Sequence, residues 1–177
     1  MSPAALLSAP PSVLRYEHAI IGDQPCNGEI VGIFTAEGRL VREYFGSSYV
    51  VLPESERDLI EGSILTHRHC SGYPFSDHDI LEASRFRLLQ MRVVTRHARY
   101  ALRAPAGVWQ DPVVTGVILR HLHTGTGSLR GNGESRLPGP ETLPEEERIR
   151  IREAFLRRAA DRLGLVFEKA SWAEPGE

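Results

Sequence analysis

The chain has 177 residues, a formal net charge of −2, and 41% hydrophobic and 25% charged residues. That length suits one domain, with or without a tail, whose core needs no covalent staples. The charge balance offers no general basic face, so nucleic acid is not an expected partner. Two cysteines, Cys26 and Cys70, do not make a disulfide framework and suit a reducing, cytoplasmic setting. Met1–Pro11 lacks a basic n-region, and no apolar run approaches a membrane span.

In chain order, residues 1–15 read as a flexible leader, with Pro3, Pro10 and Pro11 breaking any regular element. Arg15–Gly22 reads as a short strand. Glu29–Thr35 and Arg39–Phe45 flank Ala36-Glu37-Gly38 and read as a hairpin. Tyr49–Leu52 follows as a third short strand, and Glu54–Glu61 as a polar connector with a helical turn. Ser63–Thr66 is a short apolar run expected to be a buried strand. Ser76 opens a helix to about Leu89. Met91–Thr95 and Arg99–Arg103 read as strands around a turn at His97.

Asp111-Pro112 is a helix start, with Asp as N-cap and Pro at the first helical position, and the helix runs to about Leu122. Residues 124–141, rich in Gly, Ser and Pro, read as a flexible loop. Thr142-Leu143-Pro144-Glu145 reads as a capping box opening the longest helix, which ends at Gly164. Ile151, Phe155, Ala159 and Leu163 give that helix an apolar face. Leu165–Phe167 reads as a last strand, before a tail. The mixture of elements points to an α+β fold with a curved mixed sheet flanked by helices. The organisation is a leader, a domain over residues 16–123, the loop, and residues 142–177 packed back on the domain.

Chemistry concentrates between Thr66 and Asp79. His67 and His69 share one face of an extended segment directly after a strand. Asp79 lies in the first turn of the next helix, and the intervening loop can fold it back toward them. Two imidazoles and a carboxylate form a common catalytic zinc set, with water in the fourth position. Ser76 and Asp79 also have the spacing of a capping box, which accounts for both without a metal but leaves the histidines unexplained.

The segment resembles the JAMM, or MPN+, motif of deubiquitinating and related metallopeptidases: H-x-H, a loop, S-x-x-D, and an upstream glutamate. It is similar to the bacterial RadC group as well. The nearest likeness is a smaller JAMM-like group of bacterial and phage genomes, T-H-N-H-P-x-G-x-x-F-S-x-x-D-I. Thr66, His67, His69, Gly72, Phe75, Ser76, Asp79 and Ile80 fall in that register. The resemblance covers residues 28–103 and implies a JAMM/MPN-like, cytidine-deaminase-like core. It implies a Zn2+ held by His67, His69 and Asp79, and Glu29 as general base. Ser76 is then expected to orient the site or stabilise an oxyanion. The implied activity is hydrolysis of amide or isopeptide bonds in a peptide or protein substrate, ubiquitin-like proteins included. The alternative is a non-catalytic assembly module, phage- or prophage-related, that meets a partner protein through the C-terminal helix.

Cys70 stands where the motif has Pro, as a soft thiolate near the metal or a small buried side chain. The loop is one residue shorter than in the peptidases. Glu43, on the return strand, is the alternative base, and Glu37 is expected to be solvated. His121 and His123 are expected at the surface near a helix C-terminus. His78 is expected to be exposed, with a supporting role at the metal as the alternative. Arg148, Arg150, Arg152, Arg157 and Arg158 are expected to form a solvated face.

Overall fold

The computed structural model describes residues 9–22, 28–47, 50–126 and 143–172. Within them runs a six-stranded mixed sheet flanked by helices. The strands are β1 (Glu29–Phe34), β2 (Leu40–Gly46), β3 (Ile64–Arg68), β4 (Gln90–Val94), β5 (Ala98–Arg103) and β6 (Val166–Ser171). The helices are α1 (Pro11–Ile21), α2 (Arg57–Ile60), α3 (Asp77–Arg85), α4 (Pro112–Thr126) and α5 (Glu145–Leu163). Sheet order is β2-β1-β3-β4-β5-β6, and all neighbours are antiparallel except β3 and β4. The parallel pair requires a crossover, and α3 supplies it.

Alternation along the central strands sorts residues between the two faces. Leu65, Met91, Val93, Tyr100 and Leu102 pack with Phe75, Ile80, Phe86, Leu119 and Phe155 in the main core. Each such fully buried side chain contributes roughly 1.5–3 kcal/mol by leaving water. Val13, Phe34 and Ile64 form a smaller cluster under α1 on the opposite face. That face also buries charge. Arg92 donates to Glu17 at 2.6 Å and 3.2 Å, Thr66 donates to Glu17 at 3.0 Å, and all three are fully buried.

Several sequence expectations need correction. Residues 15–21 are helical, part of α1, so residues 11–15 do not belong to a flexible leader, and residues 1–8 lie outside the described residues. Pro11 occupies the first helical turn, where its missing N–H has no intrahelical partner to lose. Val13, Glu17 and Ile20 then share the buried face of that helix. Val50–Leu52 pairs with no strand, because the Val50 N–H goes to the Glu29 side chain; Tyr49 lies outside the described residues. The Thr142 capping box also falls outside them, and the N-cap of α5 is Pro144, without a side-chain hydrogen bond. Ile151 is exposed, while Ile149, Leu156 and Ala160 join Phe155, Ala159 and Leu163 in the buried stripe. Steps of four overshoot the helical repeat of 3.6, so a strict every-fourth pattern drifts off the face.

Helix α4 extends past Leu122 to Thr126; most of the Gly-rich stretch, including Gly127, Gly131 and Gly133, lies outside the described residues. Gly164 ends α5 at φ 66, and β6 runs on to Ser171. No helix among the described residues is long and apolar enough to cross a membrane.

Candidate metal centre

Strand β3 is central, so its side chains are shielded from both sides, and His67 is buried. His69 lies just past the strand end, still tied to β4 through its N–H to the Val94 carbonyl at 3.0 Å. From there the loop turns through Gly72 at φ 76, where an added Cβ would come within 2.8 Å of the Glu145 carboxylate. The positive φ favours glycine, while the contact falls on the mobile end of the Glu145 side chain. Phe75 and Ile80, fully buried, then pin the loop end and α3 to the core. The motif's apolar residues are anchors, and they aim the start of α3 at the histidines.

The donor atoms converge. His67 Nε2 lies 2.9 Å from His69 Nε2 and 3.3 Å from Asp79 Oδ1, and His69 Nε2 lies 3.5 Å from Asp79 Oδ2. Two donors bound to one tetrahedral zinc at 2.0–2.1 Å stand about 3.3 Å apart. Each spacing lies near that value, the two Asp79 distances being to different oxygens; with one donor atom per residue all three lie within 4.8 Å of one another, close enough to hold a metal ion.

Hydrogen bonding prepares His69, whereas His67 Nδ1 is buried without a hydrogen-bond partner. His69 Nδ1 lies 3.0 Å from the Tyr73 carbonyl and 3.2 Å from that of Pro74, so Nδ1 carries the hydrogen and Nε2 is a bare acceptor. Facing that lone pair, His67 Nε2 must be the donor when no metal is bound. Burial opposes charge on His67, but Asp79 and then Glu29 outweigh it and hold its pKa above the usual histidine value. Burial, and secondly the His67 charge, push His69 below it. Burial also opposes charge on Asp79, yet both histidines and the Ser76 N–H hold its carboxyl well below the ordinary range. In the metal-free protein one proton therefore sits where a cation would sit.

The capping box and the metal geometry coexist. Ser76 N–H and Oγ–H donate to Asp79 Oδ2 at 2.6 Å and 2.8 Å, while Ser76 Oγ accepts the Asp79 N–H at 3.2 Å. Glu29 is no exposed edge residue. Its strand is interior, its side chain is 19% exposed, and Oε1 lies 3.7 Å from His69 Nε2. Oε2 accepts the Val50 N–H at 2.9 Å. Burial, chiefly, raises the Glu29 pKa above the usual carboxylate value. Glu43 instead accepts a hydrogen bond from Tyr16 at 2.7 Å, and Glu37 is exposed in its turn. All the site groups line one cavity of about 610 Å³, which exposed His78 also borders.

Cys70 departs from both sequence readings. It is exposed and its sulfur is held in a disulfide, so it offers no thiolate to a metal. The chain's other cysteine, Cys26, lies outside the described residues. The reducing setting expected from the cysteine count loses that support.

The arginines of α5 are not all solvated. Arg152 donates to the Phe75 carbonyl at 2.9 Å and to Asp77 at 2.7 Å, and the Arg148 guanidinium lies 5.6 Å from the Tyr73 ring centroid. Arg157 lies over the Phe167 ring. His123 is exposed, as expected, and there pairs with Asp77 at 2.7 Å and stacks on Phe155. Glu145, the first residue of α5, meets Arg96 and His97 beside Gly72. Helix α5 thus buttresses the loop that carries the His69 carbonyl partners. The Arg152 contacts join residues 75 and 77 positions apart, those of His123 and Glu145 with Asp77, Arg96 and His97 join residues 46 to 49 apart, and no local pattern marks them.

No protein-family model, no curated protein and no solved structure matches this chain, so a family assignment has only the motif residues behind it.

Proposed function

We propose that this chain is a JAMM-type zinc hydrolase of amide or isopeptide bonds, with His67, His69 and Asp79 as ligands and Glu29 as general base. The observation that carries the reading is the meeting of two imidazole nitrogens and one carboxylate at 2.9–3.5 Å, with a second carboxylate 3.7 Å away. A zinc ion there supplies a Lewis acid that acidifies water and polarises a carbonyl. Nitrogen and oxygen donors of this kind suit zinc.

Each protein group has a task. Val50 holds one oxygen of Glu29 and so orients the carboxylate. Burial raises its pKa in the metal-free protein, which favours proton uptake, and a bound cation works against that rise. Glu29 takes the proton of the attacking water and returns it to the departing amine nitrogen. Ser76 spends its hydroxyl hydrogen on Asp79 Oδ2, so its task is to orient that ligand rather than to serve an oxyanion. The neighbouring aliphatic walls, Val31, Leu52 and Leu65, limit water around the reacting groups.

The test is elemental analysis of protein purified without chelator, followed by hydrolysis assays on peptide and ubiquitin-like isopeptide conjugates. Equimolar zinc and a hydrolytic activity that depends on Glu29 support the reading. Absence of zinc, or iron in its place, overturns it. Zinc-loaded protein whose biological activity is indifferent to Glu29 indicates a non-catalytic assembly module instead.

A further inference from the structure

The cavity lining that includes the three metal-type donors also includes Val31, Leu52, Leu65, Met91 and Glu82. Glu82 sits three residues after Asp79 on α3, on the same helical face, with about 5–6 Å between the Cβ atoms. Its side chain is 10% exposed. Oε1 accepts a hydrogen bond from Arg85 at 3.0 Å. Oε2 is buried and has no hydrogen-bond partner. A buried carboxylate oxygen without a donor is costly, and such a group calls for an explanation.

We propose that this part of the cavity is a side-chain subsite for a lysine-like group, an aliphatic arm ending in a primary ammonium. Aliphatic walls suit the methylene stem, and the orphaned oxygen suits the charged tip. A guanidinium fits less well. Arg85 already occupies one Glu82 oxygen, leaving a single acceptor for a compact donor rather than two for a planar fork. Arg85 also divides its charge with Glu54 at 2.6 Å, so Glu82 is not fully neutralised by it. Presenting the buried Oε2 to a ligand takes rotation about the soft terminal torsion of the glutamate, which also loosens Oε1 from Arg85, a side chain that Glu54 still holds. The subsite rests on the hydrolase reading only in placing that side chain beside a scissile bond; the recognition itself needs no metal.

The experiment measures binding of three capped amino acids by calorimetry or NMR titration, in zinc-loaded and in metal-free protein. The probes are the Nα-acetyl methylamides of lysine, of norleucine, and of 6-hydroxynorleucine. Lysine is expected to bind about tenfold more tightly than both neutral probes, as one charge-assisted hydrogen bond implies. Glu82→Gln is expected to remove that preference and leave the metal content unchanged. Equal binding of lysine and norleucine overturns the subsite, as does a preference that survives Glu82→Gln. Equal binding of lysine and the alcohol overturns the claim for a charged tip. The wild-type comparison needs no variant, so a poorly folding Glu82→Gln leaves the proposal testable. Lysine preference without zinc binding removes the hydrolase reading alone, and zinc binding without preference removes the subsite alone.

Discussion

The Asp79 carboxylate closes the helix cap of Ser76 through Oδ2, while its Oδ1 faces His67 at 3.3 Å. One side chain thus serves the start of α3 and the candidate metal centre together. The cap fixes the rotamer, so the ligand oxygen is aimed before any ion arrives.

Ser76→Ala separates these tasks. Loss of the cap costs about 1 kcal/mol in the metal-free protein, read by urea denaturation. Release of Asp79 from its orienting partner lowers zinc affinity about 10–100-fold, read by competition with a chromogenic chelator. A stability loss with unchanged affinity would mean that the serine serves only the helix.

Glu29→Gln keeps the shape of the side chain but removes the proton acceptor. Zinc content stays equimolar, and hydrolysis falls by about 10²–10⁴. In the metal-free protein burial raises the Glu29 pKa, and a bound cation opposes that rise, so activity of the unchanged protein falls with acidity where the balance of the two protonates Glu29. Retention of activity in Glu29→Gln assigns the base elsewhere.

His67 links metal affinity to pH. Burial disfavours its charge, but Asp79 and Glu29 prevail and raise its folded pKa above the unfolded value of about 6.5. The protonated ring therefore contributes stability that is fully present below about 6.5 and lost as pH rises through the raised folded value. Zinc competes with the same proton, so its affinity increases with pH over that window. Above about 6.5, where the depressed His69 no longer contributes, calorimetric melting of metal-free protein and zinc titration should change in opposite directions. An affinity flat over that range contradicts the proposed ligand set.

Glu17→Ala, on the opposite face of the sheet, strands Arg92 without its fully buried partner. About 3–5 kcal/mol of stability is lost, measured by denaturant unfolding. Replacing both with apolar residues, Glu17→Leu with Arg92→Met, recovers most of that loss, less what buried Thr66 and Gln90 forfeit with their partners. The folded double variant still binds equimolar zinc, since the pair faces away from the donors.

Features governed by neighbours in the chain are legible without coordinates. The β1–β2 hairpin, the Asp111 cap with its Val113 N–H bond at 2.8 Å, and the Gly164 stop all follow from short-range chemistry. His67, His69 and Asp79 belong with them, because strand end, loop and helix start lie within fourteen residues of one another and a short loop has few ways to close. The α1 helix is the instructive exception. Its prolines suggest a break, yet proline at a first turn permits a helix, and the sheet face offers Val13 and Ile20 a place to bury.

Amino-acid order alone thus establishes which side chains can meet an ion, and why a glycine and two apolar anchors surround them. Folding in three dimensions settles what lies against them: the buttress of Arg152, the approach of Glu29 from a neighbouring strand, and the orphaned oxygen of Glu82. The division is physical. A cap or a turn is stabilised by bonds among adjacent residues, whereas a buttress or a subsite exists only after burial brings distant residues together, and its energy depends on a desolvation that no local pattern records.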